Sequence, residues 1–170
     1  AKIAEYLPGE DVQVIAHGFT SDFLQRLGEK SLIDELRVIL RADAQVTAYF
    51  TFSTQMRPIL KEFRIYGPQN GLILNQDHHS LIKVPGTAQK SYLEKFLPLN
   101  EFARQYRKNM MRNARLFLKN DFHMKAGLKN LIGSFYRSII DDSPPPIPYR
   151  EILLTTRIMD EIFAQVCRVS

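Results

Sequence analysis

The sequence predicts an α+β fold: a mostly antiparallel open sheet of about six strands, with carboxy-terminal helices packed on one face. Period-two alternation is confined to the first half of the 170 residues, and its segments are joined by short polar turns instead of crossover helices. After Pro98 the apolar period becomes helical. With 45% hydrophobic residues the chain can bury one substantial core, so a single domain over residues 1–170 is expected.

Residues Ala1 to Leu7 read as the last turns of a helix stopped by Pro8-Gly9, with no capping signal ahead of it, as though the helix began upstream. Over residues 11–19, Val12, Val14 and Ala16 alternate with Gln13, Ile15 and His17. A second alternation sets Leu36, Val38 and Leu40 against Arg37, Ile39 and Arg41. A third sets Val46, Ala48, Phe50 and Phe52 against Gln45, Thr47, Tyr49 and Thr51, with Ala42-Asp-Ala44 as the hairpin between them. Phe63 to Tyr66, Leu72 to Leu74 and Leu81 to Val84 are short β-rich segments separated by turn compositions.

Residues 101–118 form a helix whose apolar line is Phe102, Tyr106, Met110, Ala114 and Phe117, expected to face the core. Asp121 can cap a helix over residues 122–140 with Met124, Leu128, Leu131, Phe135 and Ile139 on one side. The Pro144-Pro-Pro146 run cannot continue a helix and makes a stiff connector. Pro148 suits the start of a last helix, whose stripe reads Ile152, Met159, Phe163 and Val166.

No run approaches the roughly 20 apolar residues needed to span a bilayer, and the first ten lack a signal-peptide layout. Cys167 is the only cysteine, which excludes an intrachain disulfide and fits a reducing, cytoplasmic setting. Lys and Arg exceed Asp and Glu by 23 to 18. Arg104, Lys108, Arg112, Arg115 and Lys119 recur at helical spacing, a stripe able to meet phosphates. With the aromatics on the opposite stripe, a solvated helix face is favoured over nucleic-acid binding.

His78 and His79 are adjacent and, in a strand, point to opposite faces; His17 and His123 are remote from them, so no metal site is assigned. His123 and Arg112 are the candidate substrate-binding residues, each weighed against a plain surface role. Gly133-Ser-Phe lacks a nucleophile elbow, and no Gly-x-Gly is present for a dinucleotide, so neither catalytic nor cofactor-binding residues are assigned.

Three strings carry a family resemblance: Asp34-Glu-Leu-Arg-Val-Ile-Leu40, the turn Tyr66-Gly-Pro-Gln-Asn-Gly-Leu-Ile-Leu74, and the passage from Phe135 through Pro146-Ile-Pro-Tyr149 to Arg157. In this order they resemble the carboxy-terminal domain of the glucose-fructose oxidoreductase/inositol dehydrogenase family, known as Gfo/Idh/MocA. The resemblance implies a two-domain parent in which a separate amino-terminal Rossmann domain binds NAD or NADP. This domain would then provide substrate contacts and a dimer interface for oxidoreduction of a sugar, cyclitol or similar hydroxyl compound. The family's Glu-Lys-Pro and Asp-x-x-x-His groups have no match; Glu94-Lys-Phe-Leu-Pro98 breaks the first pattern. The fragment is therefore expected to be inactive alone and to bind no cofactor. Ile15, Ile39 and Tyr49, on the face opposite the core stripe, are expected to make a homo-oligomer through the sheet. The alternatives are a non-catalytic module for a sugar phosphate or nucleotide sugar, and a scaffold subunit.

Overall fold

The alternating segments become strands because each can bury one side of its pleat while its backbone pairs with a neighbour. The computed structural model describes residues 2–9, 11–42, 46–59, 61–86, 92–122 and 126–167. The six antiparallel strands of the α+β fold divide into two three-stranded sheets, β1-β2-β3 and β4-β5-β6. Contacts divide the chain into two compact units, residues 57–126 and the remainder.

In the first unit, a short helix α1 (Lys2–Glu5) precedes β1 (Val12–Phe19), and a one-turn helix α2 (Asp22–Arg26) leads to β2 (Glu35–Ala42) and β3 (Val46–Ser53). The turn expected at Ala42-Asp-Ala44 falls mostly outside the described residues. The unit also holds helices lying later in the chain, α4 (Ala126–Ile140, its first residue excepted) and α5 (Tyr149–Val166). Alternation gives the sheet a core face with Val12, Val14, Val38, Leu40 and Ala42 buried. Leu154, Ile158, Ile162 and Val166 of α5 join that core, together with Ala4 and Leu7.

The packed stripe of α5 is thus a strict i, i+4 row. Of the sequence-derived stripe only Val166 is buried; Ile152, Met159 and Phe163 are exposed. The reason is proximity: α5 passes so close to β1 that a Cβ on Gly18 would stand 2.7 Å from Val166 Cγ1. Gln165 seals the outer edge of β1, accepting from Ala16 N at 2.8 Å and donating to Val14 O at 2.8 Å. Arg150 ties the start of α5 to the turn after α1 by donating to Leu7 O at 2.8 Å.

In the second unit, β4 (Glu62–Tyr66) and β5 (Asn70–Asn75) form the hairpin around Gly67, whose N–H donates to Asn70 O at 3.0 Å. A Cβ on Gly71 would stand 2.7 Å from the Tyr66 ring, which packs over the bare glycine. β6 (Ser80–Pro85) completes the sheet, and a 3₁₀ turn at Tyr92–Lys95 leads into α3 (Leu97–Leu118). α3 does not face the sheet through the apolar line expected of it. Tyr106, Met110 and Phe117 are exposed, and Asn109 is the buried residue of the helix.

The cause is the open edge of β6. Gln105 accepts from Lys83 N at 2.7 Å and donates to Lys83 O at 3.0 Å. Asn109 does the same for Leu81, at 3.3 and 2.9 Å, and Asn113 donates to His78 O at 2.9 Å. Four residues of helix rise about 6 Å and two residues of strand about 6.8 Å, so amides spaced by four can follow alternate residues of a strand. The side chains act as a substitute strand, satisfying groups that would otherwise remain open.

Candidate functional site

At the end of β1 and the start of β2, the first unit holds an open concavity of about 400 Å³. Ser21 creates one wall. It is the N-cap of α2, its hydroxyl accepting from Leu24 N, so the chain turns sharply after Phe19 and carries Asp22 and Phe23 to the rim. Phe19 and Phe23 present rings that are 43% and 57% exposed. Glu35 and Gln55 close the other side.

Asp34 is the post beneath this site. Its carboxylate is 5% exposed and accepts from Ser21 N and Oγ at 2.7 Å each, Thr54 Oγ1 at 2.8 Å and Gln55 Nε2 at 3.2 Å. Burial alone pushes this carboxyl up, but hydrogen bonds from the Ser21 side chain and backbone, then Thr54 and Gln55, outweigh it. They hold it well below the usual carboxylate range. One side chain thereby ties the α2 turn, 13 residues before it, to Thr54 and Gln55, 20 and 21 residues after it.

Glu35 accepts from Ser53 Oγ and, at 2.8 Å, from Arg37 Nη2. The Ser53 bond is the chief cause holding its pKa down; burial opposes, and Arg37 adds a hydrogen bond and its charge. Arg37 also donates to Phe52 O at 2.9 Å and stands 5.7 Å from the centre of the Phe19 ring, so that ring is fixed from behind. Two groups are left open to a ligand. The Asp22 carboxylate and the Gln55 amide oxygen have no hydrogen-bond partner among the described residues. Asp22 and Glu35 are the carboxylates among the lining residues, and Glu35 is paired with Arg37.

Of the candidate residues read from sequence, His123 lies outside the described residues. Arg112 lies in the second unit, where its guanidinium donates to His79 O on the turn before β6. His78 and His79 occupy that turn instead of a strand; His79 has φ 48° and stacks on Phe122 at 4.8 Å. Sequence reasoning did not single out Ser21, Asp22, Phe23 or Gln55. The available signal was Ser21 as an N-cap before Asp22, a helix start.

Among the described residues no group of three or more His, Cys, Asp or Glu is arranged to hold a metal. Nor is any helix among them long and apolar enough to cross a membrane. Both sheets are antiparallel, and among the described residues no strand–turn–helix with paired glycines stands in either. Compared with protein-family models, with curated proteins and with solved structures, the chain matches none.

Proposed function

We propose that this chain is the substrate-side and oligomerisation half of an NAD(P)-dependent oxidoreductase of the Gfo/Idh/MocA type, acting on a sugar, cyclitol or related hydroxyl compound and inactive without its cofactor-binding half. What carries the reading is where the three resembling strings fall. Asp34-Glu35 opens β2, Tyr66-Gly67 to Gly71 forms the β4–β5 hairpin, and the proline passage delivers the chain to α5 at Tyr149. Each string therefore lies at an element boundary, where turn and capping chemistry constrain sequence most. The oligomer would use the outer face of the first sheet. There Ile15, Ile39 and Tyr49 are direct cross-strand neighbours, 53, 38 and 77% exposed, and make one apolar row.

The experiment is to express the complete reading frame that encodes this chain and to follow nicotinamide reduction with a panel of polyols, beside the 170-residue chain alone. Turnover by the full product, with neither turnover nor NADH binding by the isolated chain, is expected. A full product that neither binds NAD(P) nor turns over would overturn the reading.

The second reading is a binding module for a phosphorylated sugar, for which the charge distribution speaks. Residues 57–126 hold 13 Lys and Arg against 5 Asp and Glu, and the rest of the chain 10 against 13. Loss of sugar-phosphate binding on Arg112→Ala would favour it.

A further inference from the structure

We infer that α4 is a dimerisation surface that pairs, antiparallel, with α4 of a second copy of this chain. A helix is ordinarily held in a fold by the apolar side it buries, and α4 reverses this. Leu128, Leu131, Phe135 and Ile139 follow one another at spacings of three and four, with Ile132 beside them, yet these five are 37 to 61% exposed. Ser138 is the residue that is buried, its hydroxyl donating back to Phe135 O at 2.8 Å. Such a row is costly to leave wet and calls for a cover.

The charges select a second copy as that cover. A lone helix favours acids in its first turn and bases in its last. α4 has no acid in its first turn and carries Lys129 there, while Asp141 and Asp142 follow directly on its last residue. Both aspartates are exposed, and neither carboxylate has a hydrogen-bond partner among the described residues. That order opposes the helix's own dipole and suits a neighbour running the other way. In an antiparallel pair the two dipoles cancel, and the carboxylates of one copy stand at the positive end of the other. The register follows from the row. A two-fold axis at its midpoint, between residues 133 and 134, sets Asp141 of one copy level with Ala126 of the other and within one turn of its Lys129. Arg137, two residues past Phe135, falls on the far side of the helix and stays in water. The pair is closed, because the row meets its own copy. A helix of 15 residues is about 22 Å long, which places the contact near the low end of specific interfaces, so a dissociation constant in the micromolar range is expected. The outer face of the first sheet plays no part in it. The pairing therefore stands apart from the oxidoreductase reading and from the oligomer proposed with it, and a chain using both faces would assemble beyond a dimer.

The test is sedimentation velocity of the 170-residue chain from about 1 to about 200 μM, in the Tyr49→Asp background so that the sheet-mediated contact is removed. A monomer–dimer equilibrium is expected. Phe135→Glu, at an exposed position near the centre of the row, should weaken it at least about tenfold with far-ultraviolet helicity retained. Lys129→Glu separates pairing from helix stability: it replaces a cation in the first turn by an anion, which favours the helix, but sets like charges across the pair. Dimerisation should fall roughly threefold while the thermal stability of the monomer holds or rises. Adding Asp141→Lys restores opposite charges across the pair and should recover the parent affinity. A monomer throughout that range, a dimer indifferent to Phe135→Glu, or failure of Asp141→Lys to rescue Lys129→Glu would each overturn the inference. If the chain with Tyr49 intact dimerises and the Tyr49→Asp chain does not, the α4 pairing is wrong and the sheet oligomer stands. A full-length product that stays monomeric in the same background would show α4 covered by a segment outside residues 1–170, and would overturn the inference whatever that product does with polyols.

Discussion

The two units attach a long helix to a three-stranded sheet in opposite ways. In the first, α5 lays Leu154, Ile158 and Ile162 on the sheet's apolar face and uses one amide, Gln165, at the edge of β1. In the second, α3 turns Gln105 and Asn109 to the edge of β6 and Asn113 to the turn before it, and leaves Tyr106, Met110 and Phe117 exposed. One helix is held by removal of apolar area from water, roughly 1.5–3 kcal/mol for each fully buried aliphatic side chain. The other is held by hydrogen bonds whose net worth is about 1 kcal/mol each, but whose loss leaves the part-buried Leu81 backbone groups unpaired. A helix can therefore dock through its polar face whenever what it meets is a strand edge instead of a sheet face.

The sharpest way to break this contrast is to shorten the apolar row. Leu154→Ala should destabilise the first unit by about 2–5 kcal/mol, read from urea unfolding of the parent and variant. Gly18→Ala should follow at about 1–3 kcal/mol, because the new methyl overlaps Val166 and α5 must shift, measured in the same way. Next comes Asn109→Leu, a gain in hydrophobicity that should nonetheless cost about 1–3 kcal/mol by leaving Leu81 N–H and C=O unpaired. Faster hydrogen exchange at the Leu81 amide would report it; unchanged protection would show that the amide row does not hold α3. Gln165→Ala should cost less, about 1 kcal/mol, since α5 keeps its apolar contacts, and the Ala16 amide is the reporter.

The contrast can also be sharpened by pH. Asp34 and Glu35 titrate in the folded chain below their ordinary values of 3.8 and 4.5. Between folded and unfolded pKa the unfolded chain binds more protons, so their stabilisation is whole above about pH 5 and is lost as the pH falls through the folded values. On acidification the Thr54 and Gln55 amide resonances should hold through the ordinary carboxylate range and shift only below it, and Asp34→Asn should remove that late step. A simultaneous response at β6 would refute the assignment to this site.

Strand content was readable because a half-buried strand writes its environment in alternate residues, and all six strands lie where the alternation and turn residues place them. Asp34 and Glu35 were noticeable as a string, but their roles were not. Their partners Ser21, Ser53, Thr54 and Gln55 are 13 to 21 residues away, and nothing local links a buried carboxylate to donors at that distance. Helix α2 was missed because five residues carry too little periodicity to register, leaving only its Ser21 cap as a signal.

By itself, then, the sequence determined the α+β class, the strands and the proline break before α5, since these follow from dihedral preferences and from a period of two or 3.6 within a short window. Only the tertiary structure decided which side of each helix is covered. α3 carries both an apolar line and an amide line, and α5 two overlapping apolar rows. The choice was made by what stood opposite: a polar strand edge for α3, and for α5 a sheet face whose bare Gly18 admits Val166. The concavity is likewise a tertiary product, because hydrogen bonds to one buried aspartate bring together segments that no local pattern connects.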